Sequence, residues 1–118
     1  MVKKKVLIQI CDVVGVRYFI SAIDAQKVHN QIVTAFKNDC GVCLSFKDCK
    51  YLTGAFVNVM IGQLHDRYSG EFLKDNLFYT DITEDDKKLV DISVSNTKKY
   101  LSNKTAYDLA WKQELTNM

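Results

Sequence analysis

Residues 41–67 read Gly-Val-Cys-Leu-Ser-Phe-Lys-Asp-Cys-Lys-Tyr-Leu-Thr-Gly-Ala-Phe-Val-Asn-Val-Met-Ile-Gly-Gln-Leu-His-Asp-Arg. Val42 to Phe46 is an apolar run of strand length, and a short polar turn follows it. A helix then opens at Thr53-Gly54 and buries Phe56, Met60 and Leu64, with Ser69-Gly70 closing it. A helix start just beyond the carboxyl end of a strand presents free backbone N–H groups, so partners and phosphates dock at such places.

Outward from this unit the pattern continues as α/β. Lys5 to Ile10 alternates as a strand, and Asp12-Val-Val-Gly15 reads as a turn with Gly15 supplying backbone freedom. Arg17 to Ile20 is a short second strand, and the two strands together make an N-terminal hairpin. Ser21 caps a helix, Asp24 sits three residues on, and Ala25, Val28, Ile32 and Phe36 form its inner stripe. Asn38-Asp39-Cys40-Gly41 ends that helix, with Gly41 in the left-handed stop position. Asn76 to Thr80 is a further strand. Thr83 caps a helix with Glu84, Asp85 and Asp86 in its first turn and Lys98 and Lys99 in its last, the order a helix dipole favours. Thr105 and Asp108 start a final helix over about 105–115 that carries Tyr107, Trp111 and Leu115. The order β-β-α-β-α-β-α-α predicts one α/β domain over 1–118. Its four- to five-stranded mixed sheet is covered by helices.

Bulk properties narrow the function. The chain has 118 residues, 47% of them apolar and 25% charged, with a net charge of +2. That is enough for a core without staples, and it gives no electrostatic reason to expect nucleic acid or an anionic membrane. No apolar run approaches the ~18 residues of a membrane span, and the basic N-terminus lacks a signal-peptide pattern, so a cytoplasmic protein is expected. The five glycines form no phosphate-binding string, and no serine sits in a GxSxG elbow.

The cysteines raise an alternative. Cys40-Gly-Val-Cys43, with Cys11 and Cys49, supplies enough thiols for one zinc or for redox chemistry. The CxxC sits at a helix end and a strand start, however, where no dipole stabilises a thiolate, so structural thiols are the simpler reading. His29 and His65 read as solvated or capping side chains. Arg17 can pair with Asp48 or lie at the same sheet edge. Gly54 and Ala55 leave the helix start open to a partner, or are small to pack close to the sheet. The Tyr107 and Trp111 stripe packs on its own domain, or enters a groove on a partner or a second copy.

Leu44-Ser-Phe46, Lys47-Asp48-Cys49-Lys50-Tyr51-Leu52 and Thr53-Gly54-Ala55-Phe56 together resemble the strand–turn–helix of STAS domains. These are the anti-anti-sigma and sulfate-transporter type modules, and the chain is most like the small prokaryotic STAS-like family of unassigned function. Gly15-Val-Arg17 with Ser21, and Gly62-Gln63-Leu64, extend the resemblance over about residues 5–101. The resemblance implies a bacterial regulatory interaction module with no catalysis and no cofactor. In anti-anti-sigma relatives a GHKL-type ATPase/kinase binds the helix face and phosphorylates a serine at its start. That serine falls on Ala55, which accepts no phosphate, and a preceding aspartate of many relatives falls on Thr53. Thr53 is the nearest hydroxyl and the one candidate for phosphorylation, although capping is its simpler role. The expected contact residues are Arg17, Asp48, Lys50, Thr53, Gly54, Ala55 and Asn58, with a protein partner or a homodimer. A subunit of a bacterial defence or mobile-element system is a further alternative.

Overall fold

The computed structural model describes residues 4–95. The lysines at the end of the acid-to-base helix and the whole 105–115 helix therefore lie outside the described residues. Strand β1 (Lys5–Gln9) runs directly into α1 (Ile10–Val14), and β2 (Tyr18–Phe19) and α2 (Ala22–Lys37) follow. Then come β3 (Gly41–Ser45), β4 (Tyr51–Leu52), α3 (Gly54–Met60), a 3-10 turn (Gly62–Asp66), α4 (Gly70–Asn76) and β5 (Leu77–Thr80). Helix α5 occupies 84–95.

Among the described residues every ladder is parallel, and the five strands there divide between two sheets. One has the order β1-β3-β5, and the other pairs β2 with β4. The expected N-terminal hairpin and mixed sheet are therefore corrected. The physical reason lies in Ile10 to Val14, which forms a helical turn instead of a loop. Gly15 closes that turn at φ 75°, donating its N–H to Cys11 O at 2.8 Å. This turn carries β2 away from β1 and leaves it to pair with β4, Tyr18 opposite Tyr51.

Other boundaries move for local reasons. Asp39, not Gly41, adopts the left-handed conformation after α2 (φ 58°), which a short polar side chain tolerates. Gly41 is instead the first residue of β3, its N–H donating to Lys4 O at 2.8 Å. The helix opening at Gly54 stops at Met60 and tightens into the 3-10 turn, where Leu64 N–H donates to Ile61 O. Ser69 does not close it. Its hydroxyl accepts from Phe72 N–H at 3.1 Å and caps α4, a helix absent from the sequence reading. Ser21, Thr53 and Thr83 cap α2, α3 and α5 as expected.

The three-stranded sheet winds in one direction, from β1 through β3 to β5. Right-handed crossovers then place the intervening helices on a single face. Ile8, Val42, Leu44 and Leu77 point into that face and share one core with Val28 and Ile32 of α2, Phe56 and Met60 of α3, and Val90 of α5. The opposite face carries Leu7, Cys43 and Phe78 in one row across the strands. No helix among the described residues is long and apolar enough to cross a membrane.

Candidate functional site

The turn from β4 into α3 is fixed by backbone before any side chain acts. Lys50 N–H donates to Arg17 O at 2.8 Å and Thr53 N–H donates to Phe19 O at 3.2 Å, bracketing the two-residue ladder. Phe19 and Leu52 point inward, and the Phe19 ring stacks on Phe56 with centroids 5.4 Å apart. The ladder is thereby attached to the first turn of α3.

At the helix start the Thr53 hydroxyl has two jobs. It accepts from Phe56 N–H at 3.2 Å and donates to Phe19 O at 3.5 Å, and the residue is half-buried. Ala55 is exposed one residue beyond Gly54. A Cβ built on Gly54 would meet Leu89 Cδ1 of α5 at 3.8 Å, an ordinary contact. Asn58, although exposed, accepts from the Ser93 hydroxyl of α5. Gly54 and Asn58 are thus partly engaged inside the domain, whereas Arg17, Lys50, Asp48 and Ala55 are exposed around one edge. Asp48 sits in the turn after β3 at φ 63°, where Cys49 N–H donates to Phe46 O. Among the described residues the ion pair is Lys27 with Asp24, so Arg17 and Asp48 share the edge without pairing.

The same edge holds side chains that sequence reasoning did not single out. Tyr18 and Tyr51 are directly opposed Cα partners, and each is 57% exposed. Ile20 is 50% exposed on the same alternation as Tyr18. The signal was present in the period of two around inward Phe19 and Leu52. Two exposed tyrosines at opposed backbone positions, flanked by an aliphatic side chain and by Lys50 and Arg17, match the composition of protein interfaces, where Tyr and Arg are enriched.

Away from this edge the polar groups are structural. Ser45 Oγ donates to Asp81 Oδ2 at 2.9 Å and accepts from Lys47 N–H at 3.3 Å, tying together the loops after β3 and β5. Cys40 and Cys43 are not brought together. Strand alternation sets Cys43 beside Leu7 and Phe78 on the outer face, while Cys40 lines a groove with Ile8 on the helix-covered face. All four thiols are free. Burial pushes the Cys49 thiol up to about 11, with nearby Asp86 adding to it, so it is protonated at neutral pH. No group of three or more His, Cys, Asp or Glu among the described residues is placed to hold a metal ion. A cleft of about 660 Å³ between α4, β5 and α5, floored by Leu73, Leu77 and Val90, shares no residue with the ladder edge.

His29 is buried and caps. Its Nδ1 lies 3.2 Å from Met60 O, the last carbonyl of α3, and donates to it. Burial lowers its pKa below the ordinary 6.5, opposed by that hydrogen bond and assisted by Arg67. A histidine with a depressed folded pKa takes up its proton more readily when unfolded. Its contribution is therefore complete above 6.5 and is lost as pH falls from there towards the folded value. Thermal midpoints measured on either side of 6.5 are expected to drop on the acid side. In His29→Asn, which keeps a donor at the Nδ1 position, that drop is expected to shrink. An unchanged acid drop in the variant would assign the effect to other groups.

The model of the STAS-like domain of unknown function (DUF4325) matches residues 24–87. No curated protein and no solved structure matches the chain. The matched span covers more than half of the chain and runs from α2 to the first turn of α5, so it includes β3, β4 and the capped start of α3. The chain belongs to the STAS-like domain family of unknown function.

Proposed function

We propose that this domain is a non-catalytic, regulatory interaction module of a bacterial cytoplasm, which binds a protein partner through the β2–β4 ladder and the first turn of α3. One observation carries the reading: Tyr18 and Tyr51 are opposed Cα partners, each more than half exposed, on a ladder that the Phe19–Phe56 stack attaches to α3. Leaving two such rings in water forgoes about 1.5–3 kcal/mol of burial apiece, which a partner recovers. The STAS resemblance makes a GHKL-type ATPase/kinase the first partner to try.

Binding is constitutive in this reading. Ala55 has no hydroxyl, and phosphorylation of Thr53 would first strip the cap from Phe56 N–H, at a cost of about 1 kcal/mol. The test is a pull-down with co-expressed GHKL-type ATPases of the host, comparing the wild type with Ala55→Arg and Tyr51→Ala. Both substitutions lie on the surface, so circular dichroism should be unchanged. Each should weaken binding at least tenfold, as interface aromatics do when truncated. Full retention of the partner by both variants would remove the ladder edge as the contact. Intact mass after incubation with partner and ATP should show no phosphate adduct, and an adduct mapped to Thr53 would replace constitutive binding with a switch. Stoichiometric zinc in the purified protein would favour the cysteine-based alternative instead.

A further inference from the structure

A polar pocket of about 300 Å³ lies between α2 and the 3-10 turn, and no strand residue lines it. Asn30, Thr34 and Lys37 recur at helical spacing along α2 and form one wall. Gln63 of the 3-10 turn and Arg67 at its cap form the other. No carboxylate lines the pocket, and neither Lys37 nor Arg67 has an ion-pair partner among the described residues. Gln26 donates to Asn30 Oδ1 at 3.0 Å, which occupies the Asn30 acceptor and leaves its amide N–H groups to a ligand. Donors and cations thus ring the opening.

His29 also lines this pocket, and it is only 5% exposed. Met60 O can only accept, so the contact at 3.2 Å fixes the proton of the neutral ring on Nδ1. Nε2 is then a bare lone pair. It has no partner among the described residues, yet no fully buried side-chain nitrogen among them lacks one. Nε2 therefore reaches open space, and the open space beside His29 is this pocket. Burial, with Arg67 nearby, lowers the proton affinity of the ring, so it is neutral at neutral pH. A buried acceptor behind a cationic rim repels the lone pairs of an ion without a proton and accepts from an oxyanion that keeps one.

We propose that this pocket binds hydrogen phosphate, whose oxygens accept from Arg67, Lys37 and Asn30 while its one O–H donates to His29 Nε2. The volume is at the small end for a ligand site, which suits a single ion with its waters. Sulfate has the same shape and charge but no proton, so it would set an oxygen lone pair against that of Nε2. A phosphate monoester has also lost its second proton at neutral pH. This inference is independent of the ladder edge, which shares no residue with the pocket.

Calorimetric titration of the full chain at neutral pH and fixed ionic strength, with inorganic phosphate, sulfate and glycerol phosphate, separates recognition from charge attraction. Phosphate should bind saturably and at least about tenfold more tightly than the other two, the worth of one hydrogen bond to a charged group. Arg67→Gln, at an exposed position, should weaken phosphate by at least about tenfold with circular dichroism unchanged. His29→Asn, which keeps the donor to Met60 O, should erase the preference for phosphate over sulfate. NMR of the imidazole nitrogens carries the same test in the wild type, whether or not that variant folds. Saturating phosphate should move the His29 Nε2 resonance, which gains a donor, far more than Nδ1, which already has its partner. No saturable phosphate binding, equal affinity for sulfate or the monoester, phosphate affinity unchanged in Arg67→Gln, or an unmoved Nε2 resonance would each overturn the proposal.

Discussion

Phe56→Ala is expected to cost about 3–5 kcal/mol, a large share of the ~5–15 kcal/mol that holds a domain of this size. Phe56 is fully buried at the centre of the core, so truncation removes its transfer free energy and leaves a void that its neighbours fill only in part. The loss is also directional. Phe56 receives the Phe19 ring from β2 at 5.4 Å, and its N–H is the one that Thr53 caps. Removal of the ring therefore loosens the β2–β4 ladder and the helix start at once. Urea denaturation of Phe56→Ala, Phe19→Ala and the double variant would measure this. Coupling between the two substitutions should be about 0.5–1.5 kcal/mol, the range for paired aromatic rings. Strict additivity would mean that the stack contributes nothing beyond burial.

Phe36→Ala is expected to cost a similar 3–5 kcal/mol, through a different part of the fold. Phe36 closes the inner stripe of α2 and meets Tyr68 and Phe72 edge-on, at 5.1 and 5.2 Å. Those two rings stack on each other at 4.9 Å. The trio fastens the end of α2 to α4 and to the turn before it, far from the ladder edge. Amide exchange should accordingly quicken in α4 more than at Lys50 and Thr53, whose bonds to Arg17 and Phe19 do not involve the trio. Phe36→Leu restores most of the apolar burial without the edge contacts, so its residual cost should be nearer 1 kcal/mol. If exchange at the ladder quickened as much as in α4, the domain would be opening as one unit.

These two clusters also show what was legible in the sequence. The α2 stripe from Ala25 to Phe36, the Ser21 and Thr53 caps, the buried strand at Val42 and the strand ending at Thr80 carry their own local signals, and all are present. The pairing of β2 with β4 carries none, because a two-residue ladder rests on its backbone bonds and on Phe19 meeting Phe56. Ser69-Gly70 was ambiguous for a physical reason: serine caps the helix that follows as readily as glycine ends the one before. Asp39 took the left-handed position because the turn needed it two residues before Gly41. At the proposed contact edge, Thr53, Lys50 and Ala55 were visible as a helix start. The opposed Tyr18 and Tyr51 became visible only once the ladder gave their register.

Every ladder among the described residues joins positions more than thirty apart, the pairs of β2 with β4 being the nearest. On the ribosome, β1 therefore emerges long before Gly41 can meet it, and Val42 waits in turn for Leu77. Of the early elements, α2 alone can form from local signals while the nascent chain is incomplete. The apolar run from Val6 to Ile10 meanwhile remains an unpaired edge. Late closure of this kind makes for slow folding and a long exposure to aggregation. Production in the cell should therefore depend on chaperone supply more steeply than the modest size of the domain suggests.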